Sequence, residues 1–177
     1  MKLRSRPVYG FLAACLISGG IAKAAFFSGS SLSSKRPLPT RLHVRTTAYT
    51  HTEADHLIYG NRSALGTELR YNVEYHSVAA DWSRFPLGTK FRIRGYDRVF
   101  VVDDYGSALV GTHTIDLYFP DGERMKNWGL RFVDIEILSF GSFHESRKIL
   151  AARAKNRYCL AMLASMTDDK WYETHAR

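Results

Sequence analysis

The sequence predicts a small all-β domain over residues 42–141, a closed barrel or sandwich of short strands. Apolar residues recur there with period two in short runs, the pattern of half-buried strands. Turns bearing Gly and Asp separate the runs at spacings typical of small barrels. The chain has 177 residues, 45% of them hydrophobic and 13% aromatic. That suffices for one packed domain with extensions and is too little for two.

The strands follow in order. Leu42, Val44 and Thr46 alternate with His43, Arg45 and Thr47. Val78-Ala79-Ala80 leads into Asp81, and Pro86-Leu87-Gly88-Thr89 forms a turn before the next run. Phe91 and Ile93 alternate with Lys90, Arg92 and Arg94, and Val99 to Val102 is a short β-branched run. Ile115 and Leu117 flank Asp116; Val133, Ile135 and Ile137 alternate with Asp134, Glu136 and Leu138. Gly95-Tyr96-Asp97 and Asp121-Gly122 read as turns. Beyond the barrel, Leu150, Ala154, Tyr158, Met162 and Met166 recur at every fourth position among basic residues, which predicts a basic amphipathic helix over 145–166 within a tail of residues 142–177.

The N-terminus reads as an export signal, residues 1–24. Lys2, Arg4 and Arg6 precede an apolar run from Val8 to Ala22, and Ala22-Lys23-Ala24 is a small-x-small cleavage site. The run is shorter than a membrane-spanning helix requires. A lipobox-like Leu12-Ala13-Ala14-Cys15 offers the alternative of a lipoprotein anchored through Cys15. Residues 25–41 are rich in Ser, Gly and Pro and read as a flexible linker. The predicted location is therefore outside the cytoplasm, in the periplasm or cell envelope. Cys159 is the one other cysteine; among Leu160, Met162 and Leu163 it reads as a small buried hydrophobe, and no disulfide framework is expected.

The formal charge of +8 is unevenly placed. Residues 1–45 hold eight Lys/Arg and no acid, whereas residues 46–141 hold ten bases and 13 acids. A basic stripe on the domain itself is lacking, which excludes a nucleic-acid partner of the usual electrostatic kind. The basic extensions suit an anionic surface, and the tail is expected to reach a membrane surface.

Three aspartates stand out. Asp116 faces away from its apolar neighbours, on the face of Tyr118. In a groove its carboxyl would be partly desolvated, which favours the protonated form needed to give a proton to a leaving oxygen. On an edge strand it would simply be a wet-face acid. Asp104 ends a strand before a turn punctuated by Gly106 and Gly111, residues that allow tight bends or close backbone approach to a ligand. Asp81 precedes a turn and taken singly reads as a turn residue bonding nearby backbone.

Together these segments resemble the 3D domain, a family named for three aspartates and related to the catalytic domain of MltA-type lytic transglycosylases. The resemblance runs from Thr46-Thr47-Ala48-Tyr49-Thr50 through Ala64-Leu65-Gly66-Thr67, Val78-Ala79-Ala80-Asp81 and Asp104-Tyr105-Gly106-Ser107-Ala108-Leu109-Val110-Gly111. It continues through Ile115-Asp116-Leu117-Tyr118 and ends near Val133-Asp134-Ile135. It implies a small double-psi β-barrel with an open groove acting on peptidoglycan glycan strands. Asp116 falls at the family's acid/base aspartate; Asp104 and Asp81 fall at the other two. Thr67, Tyr49, Gly106, Ser107, Gly111 and His113 are the implied substrate-binding positions. The chain departs from the family turn Asp-x-Gly-Gly-Ala-Ile-Lys-Gly at Ser107 and Val110, is one residue longer around Thr112-His113-Thr114, and adds a second acid at Asp103.

The chemistry implied is cleavage of the bond between N-acetylmuramic acid and N-acetylglucosamine, one aspartate acting first as acid and then as base. The muramic 6-hydroxyl, not water, captures the cation, giving a 1,6-anhydro product. No cofactor and no metal are expected; His51, Glu53, Asp55 and His56 fit no common zinc spacing. A monomer is expected. A non-catalytic wall-binding module, an ordinary hydrolase and an accessory protein recruited through its tail are the rival functions.

Overall fold

The computed structural model describes residues 40–54 and 57–166. The export signal, the lipobox and nearly all of the linker lie outside the described residues, as do Asp55, His56 and the last residues of the tail.

Six strands form a closed barrel: β1 (Thr40–Tyr49), β2 (His76–Ala79), β3 (Lys90–Ile93), β4 (Phe100–Asp104), β5 (Ile115–Tyr118) and β6 (Arg131–Ser139). Their order around the wall is β1-β5-β2-β4-β3-β6. The pairs β1–β5 and β2–β4 run parallel and the other four antiparallel. This is the small barrel architecture that the resemblance implied, and closure leaves no open sheet edge.

Alternation does the local work. In β3, Phe91 and Ile93 are buried while Lys90 and Arg92 are exposed; in β6, Ile135 and Ile137 are buried. They meet Val44, Val78, Phe100, Val102, Ile115 and Leu117 in one core. Strands β2 and β4 are buried along their whole length. Their outer faces are covered too, so neither His76-Ser77-Val78-Ala79 nor Phe100-Val101-Val102-Asp103-Asp104 alternates between buried and exposed residues. The cover comes from the long connection between β1 and β2, which has only isolated bridges, Arg62 with Glu68 and Tyr71 with His76. Its Leu69 joins Tyr49, Ala79, Leu109 and Tyr118 in a second, outer cluster.

Two elements differ from the expectation. The Asp121-Gly122 turn is the start of a helix, α1 (Gly122–Trp128), whose first turn is capped by the Asp121 carboxylate accepting from Arg124 N at 2.9 Å. With Met125 and Trp128 as its apolar residues, seven residues show no helical period. The helix expected over 145–166 is two helices, α2 (Phe143–Ala152) and α3 (Arg157–Ser165). Asn156 breaks the run by capping α3, its side chain accepting from Tyr158 N at 2.8 Å. The fourfold period is broken there, Ala154 being exposed and Cys159 buried in place of Tyr158; both helices still bury one side against the barrel, where Leu150, Cys159, Met162 and Met166 belong to the same core as Trp82 and Phe85.

The link into α2 is tight. A side chain at Gly141 would place its Cβ 2.1 Å from the Leu87 carbonyl oxygen, so only glycine allows the two backbones to meet. Ser142 N then bonds the Leu87 carbonyl and Leu87 N bonds Ser146 Oγ, each at 2.9 Å. The helical tail is thereby stitched to the Pro86–Thr89 turn.

Candidate functional site

The site is built on the outer face of β1, β5, β2 and β4. Parallel pairing sets Thr47 beside Asp116 and Tyr49 beside Tyr118. Because Ile115 and Leu117 fill the core, Asp116 and Tyr118 are turned to the opposite face. Asp116 is half-buried there and accepts a 2.7 Å hydrogen bond from Thr47 Oγ1.

A bulge brings the other acids to the same face. Val78 pairs with Val102 and Ala79 with Asp104, leaving Asp103 as the extra residue in β4. Bulges re-aim side chains in this way near functional sites. The result is two consecutive carboxyls bonded to groups of the outer face. Asp104 Oδ2 accepts from the Tyr49 hydroxyl at 3.0 Å, and its Oδ1 accepts from Ala64 N at 2.8 Å and Tyr105 N at 2.9 Å. Its carbonyl oxygen accepts from Trp82 Nε1 at 2.8 Å. Asp103 Oδ2 accepts from Ser77 Oγ at 2.7 Å and the Tyr75 hydroxyl at 3.1 Å, while Oδ1 has no partner among the described residues. Burial, opposed by those bonds, pushes the Asp103 carboxyl up to about 6.

Tyr49 of β1 is hydrogen-bonded to Asp104 and stands two residues from Thr47, the partner of Asp116. Burial raises its hydroxyl pKa well above the usual tyrosine range, and the charges of Asp104, Asp103 and Asp116 add to the effect. The Tyr118 hydroxyl bonds His51 Nδ1 at 2.9 Å. Beneath it, His76 Nε2 donates to the Tyr118 carbonyl at 2.5 Å. Burial drives the His76 imidazole down to about 4, so it is neutral near pH 7.

Asp81 does a different job. Its Oδ1 accepts from Ser83 N at 2.8 Å and Ser83 Oγ at 2.7 Å, and its Oδ2 accepts from Gly111 N at 2.6 Å. Arg84, 3.8 Å from the same carboxylate, donates to His113 Nε2 at 2.8 Å and to the Gly111 carbonyl at 3.1 Å. Asp81 and Arg84 thus clamp the loop that leads into β5. Gly111 has φ +80°, the left-handed region that favours glycine. Gly106 differs: its φ is −126°, ordinary extended backbone, and a Cβ there would meet the Leu109 side chain at 3.4 Å.

Access is to a groove of about 940 Å³, bordered by Ala64, Gly66, Asp104, Tyr105, Gly106 and Ser107, with residues of the α2–α3 turn on its far side. The structure therefore divides the sequence-predicted residues. Asp104, Gly106 and Ser107 border the groove. Asp116 does not border it; it accepts a hydrogen bond from Thr47, two residues along β1 from Tyr49, the partner of Asp104. Thr67 bonds Ser63 Oγ at 3.0 Å in the 61–69 loop, which forms a groove wall. Gly111 and His113 belong to the Asp81–Arg84 clamp. Of the aromatics near the three aspartates, Trp82 is fully buried in the core, Tyr49 and Tyr118 are buried in the outer cluster, and Tyr105 borders the groove, where it could serve as a sugar platform.

Sequence reasoning weighs His51 only as a metal ligand and does not single out Ser77, Tyr75 or Arg153 as site residues. His51 follows Tyr49 at the two-residue spacing of β1, a signal that was present. The Arg153 guanidinium donates to the Ala64 carbonyl at 2.8 Å and the Tyr105 hydroxyl at 3.2 Å, across 89 and 48 residues of chain. No local pattern announces such contacts.

Residues 76–139 match the family model described as the 3D domain. Two proteins of Bacillus subtilis (strain 168) are similar. YabE, named for cell wall shaping, is 33% identical over 96 residues, which is 54% of this chain and 22% of that protein. YocH, named as a cell wall-binding protein, is 31% identical over 98 residues, 55% of this chain and 32% of YocH. The similar stretch is a minor part of both relatives.

Proposed function

This chain is a 3D-domain protein, and from that premise we propose that it acts outside the cytoplasm on peptidoglycan, cleaving glycan strands as a lytic transglycosylase with Asp116 as acid and base. The observation that carries the reading is the inequality of the three aspartates. Asp81 and Asp104 are 1% and 5% exposed and hold backbone donors in place. Asp116 is half-buried. A proton-transfer group must reach its substrate, and Asp116 is the most exposed carboxyl of the three.

In the proposed step the Asp116 carboxyl gives its proton to the oxygen between N-acetylmuramic acid and N-acetylglucosamine. The C1–O bond breaks and the N-acetylglucosamine 4-hydroxyl leaves. The muramic 6-hydroxyl attacks C1 and its proton passes to the Asp116 carboxylate, which restores the acid. One carboxyl acts twice, where most glycosidases use a flanking pair. Tyr49 and Thr47 hold the strand face on which Asp116 sits, and the Asp81 clamp fixes the loop before it.

Digestion of purified sacculi, with mass spectrometry of the soluble fragments, tests this. The full chain is expected to release 1,6-anhydro-muropeptides, and Asp116→Asn is expected to release fewer by a factor of at least about 100, in line with the loss of a general acid. Equal rates for the two proteins would overturn the assignment. A second reading, binding without cleavage, draws support from the groove: Asp104 and Ser107 border it and Asp116 does not. Co-sedimentation with sacculi and no released fragment is the outcome that selects it.

A further inference from the structure

We propose that the turn between α2 and α3 is a binding element of the groove, reading a carboxylate carried by the glycan, such as the acidic end of a muramyl-bound peptide. The inference rests on the peptidoglycan reading above and adds to it cations, Arg62, Arg153 and Lys155, that lie outside residues 76–139 of the family match.

Charge placement carries the proposal. Arg62 on one wall and Arg153 and Lys155 on the other are the cations bordering the groove. The one acid at its border is Asp104, whose carboxylate already accepts three hydrogen bonds from Tyr49, Ala64 and Tyr105. The groove therefore has a cationic rim over a floor of Tyr105, Gly106 and Ser107. A low-dielectric cleft lined by one sign of charge concentrates that field on its ligand.

The turn is rigidly presented. Arg153 spans the two walls through the Ala64 carbonyl and the Tyr105 hydroxyl, and lies 5.9 Å from the centre of the Tyr105 ring. Asn156 caps α3 beside it. On the same border, the Tyr158 hydroxyl accepts from Arg157 at 2.6 Å. Behind the turn, Leu150, Cys159 and Met162 are wholly buried in the barrel core, so the apolar side of the helices is already occupied. Lys155 itself is exposed at the groove, with no hydrogen bond or ion pair among the described residues. Arg153 is thus a positioning residue, and Lys155 with Arg62 supplies the contacts.

The arrangement favours one acidic substituent on a mostly neutral strand. Three cations, Arg62, Arg153 and Lys155, border the groove among the described residues, beside the hydroxyls of Tyr105 and Ser107. A polymer with a phosphate on every unit would need cations spread along its length.

Affinity measurements on the full chain test the proposal, with three probes: a muramyl-peptide tetrasaccharide, a chitin tetrasaccharide without charge, and poly(glycerol phosphate). The expected parent preference for the muramyl peptide over chitin is about tenfold, the scale of a charge-assisted contact. Arg62→Gln with Lys155→Gln is expected to remove the preference, and Lys155→Arg to keep it. A parent that binds both saccharides equally, or a double variant that keeps the preference, overturns the proposal and leaves the peptidoglycan reading standing. Tighter, Lys155-dependent binding of poly(glycerol phosphate) overturns it in favour of a phosphate polymer. Failure to bind either saccharide removes the peptidoglycan reading and this inference with it.

Discussion

Asp104 and Asp116 lie on the same outer face of the barrel, bonded by Tyr49 and Thr47 of β1 respectively, yet they occupy different physical regimes. Asp104 is buried and accepts hydrogen bonds from two backbone amides and a phenol. Asp116 is half-buried and bonded by one hydroxyl, that of Thr47, in addition to other interactions. Asp81 belongs with Asp104: its carboxylate is consumed by Ser83 and Gly111. Three residues of one type therefore divide into two struts and one reactive candidate. Chemical identity alone does not assign a role; the environment does.

The sharpest way to break this division is Asp104→Ala. The change orphans Ala64 N, Tyr105 N and the Tyr49 hydroxyl together. Each unsatisfied buried group costs about 1–3 kcal/mol, so a loss of roughly 3–5 kcal/mol is expected, at the upper end for single substitutions. Urea denaturation followed by circular dichroism measures it. A loss below about 1 kcal/mol would mean that Asp104 is not a strut.

A smaller effect separates the buried titratable groups behind the site. His76 is driven down to about 4, so the native state refuses a proton that the unfolded chain takes below about 6.5, the usual histidine value. Its contribution is present above pH 6.5 and is lost as pH falls toward 4. Asp103 runs the other way. Its folded value of about 6 lies above the unfolded 3.8, so the native state keeps a proton that the unfolded chain releases. Its contribution is present at low pH and is lost as pH rises from about 4 through 6. The two slopes oppose each other over the same range, which flattens the stability profile of the parent. Asp103→Asn removes one slope. Its stability relative to the parent is expected to rise by roughly 2 kcal/mol between about pH 4.5 and pH 6.5. Melting curves at the two pH values check this; a constant difference would show that Asp103 does not titrate differently in the two states.

How much of this is legible in the sequence follows from the range of the forces involved. Alternation in β1, β3 and β6 reports burial of one face, a local property, and the strands stand where the pattern puts them. The Asp81–Ser83 bond is local as well, an acid bonding the backbone two residues on. The helix at Gly122–Trp128 escaped because a single capping carboxylate sets it, with too few apolar residues to show a period. The bulge that brings Asp103 and Asp104 to one face depends on the register of β2 against β4, which no run of residues encodes by itself. Arg153 at the groove is the extreme case. Its reach to Ala64 depends on the glycine at 141, the stitched turn at 86–89 and the core contacts of Leu150 acting together.

The smallest expected effect on stability belongs to Asp116→Asn, and that smallness is what gives the substitution its diagnostic value. The asparagine side-chain oxygen can still accept the Thr47 hydroxyl proton, and the volume hardly changes. The position is half-buried, so no fully desolvated charge is created or removed. A shift within about 0.5 kcal/mol is expected, the range of substitutions away from saturated buried networks. The urea midpoint measures it against the same parent as Asp104→Ala. If Asp116→Asn instead loses as much as that variant, Asp116 is a third strut. A fall in wall digestion would then report a damaged fold and could no longer be ascribed to a missing proton.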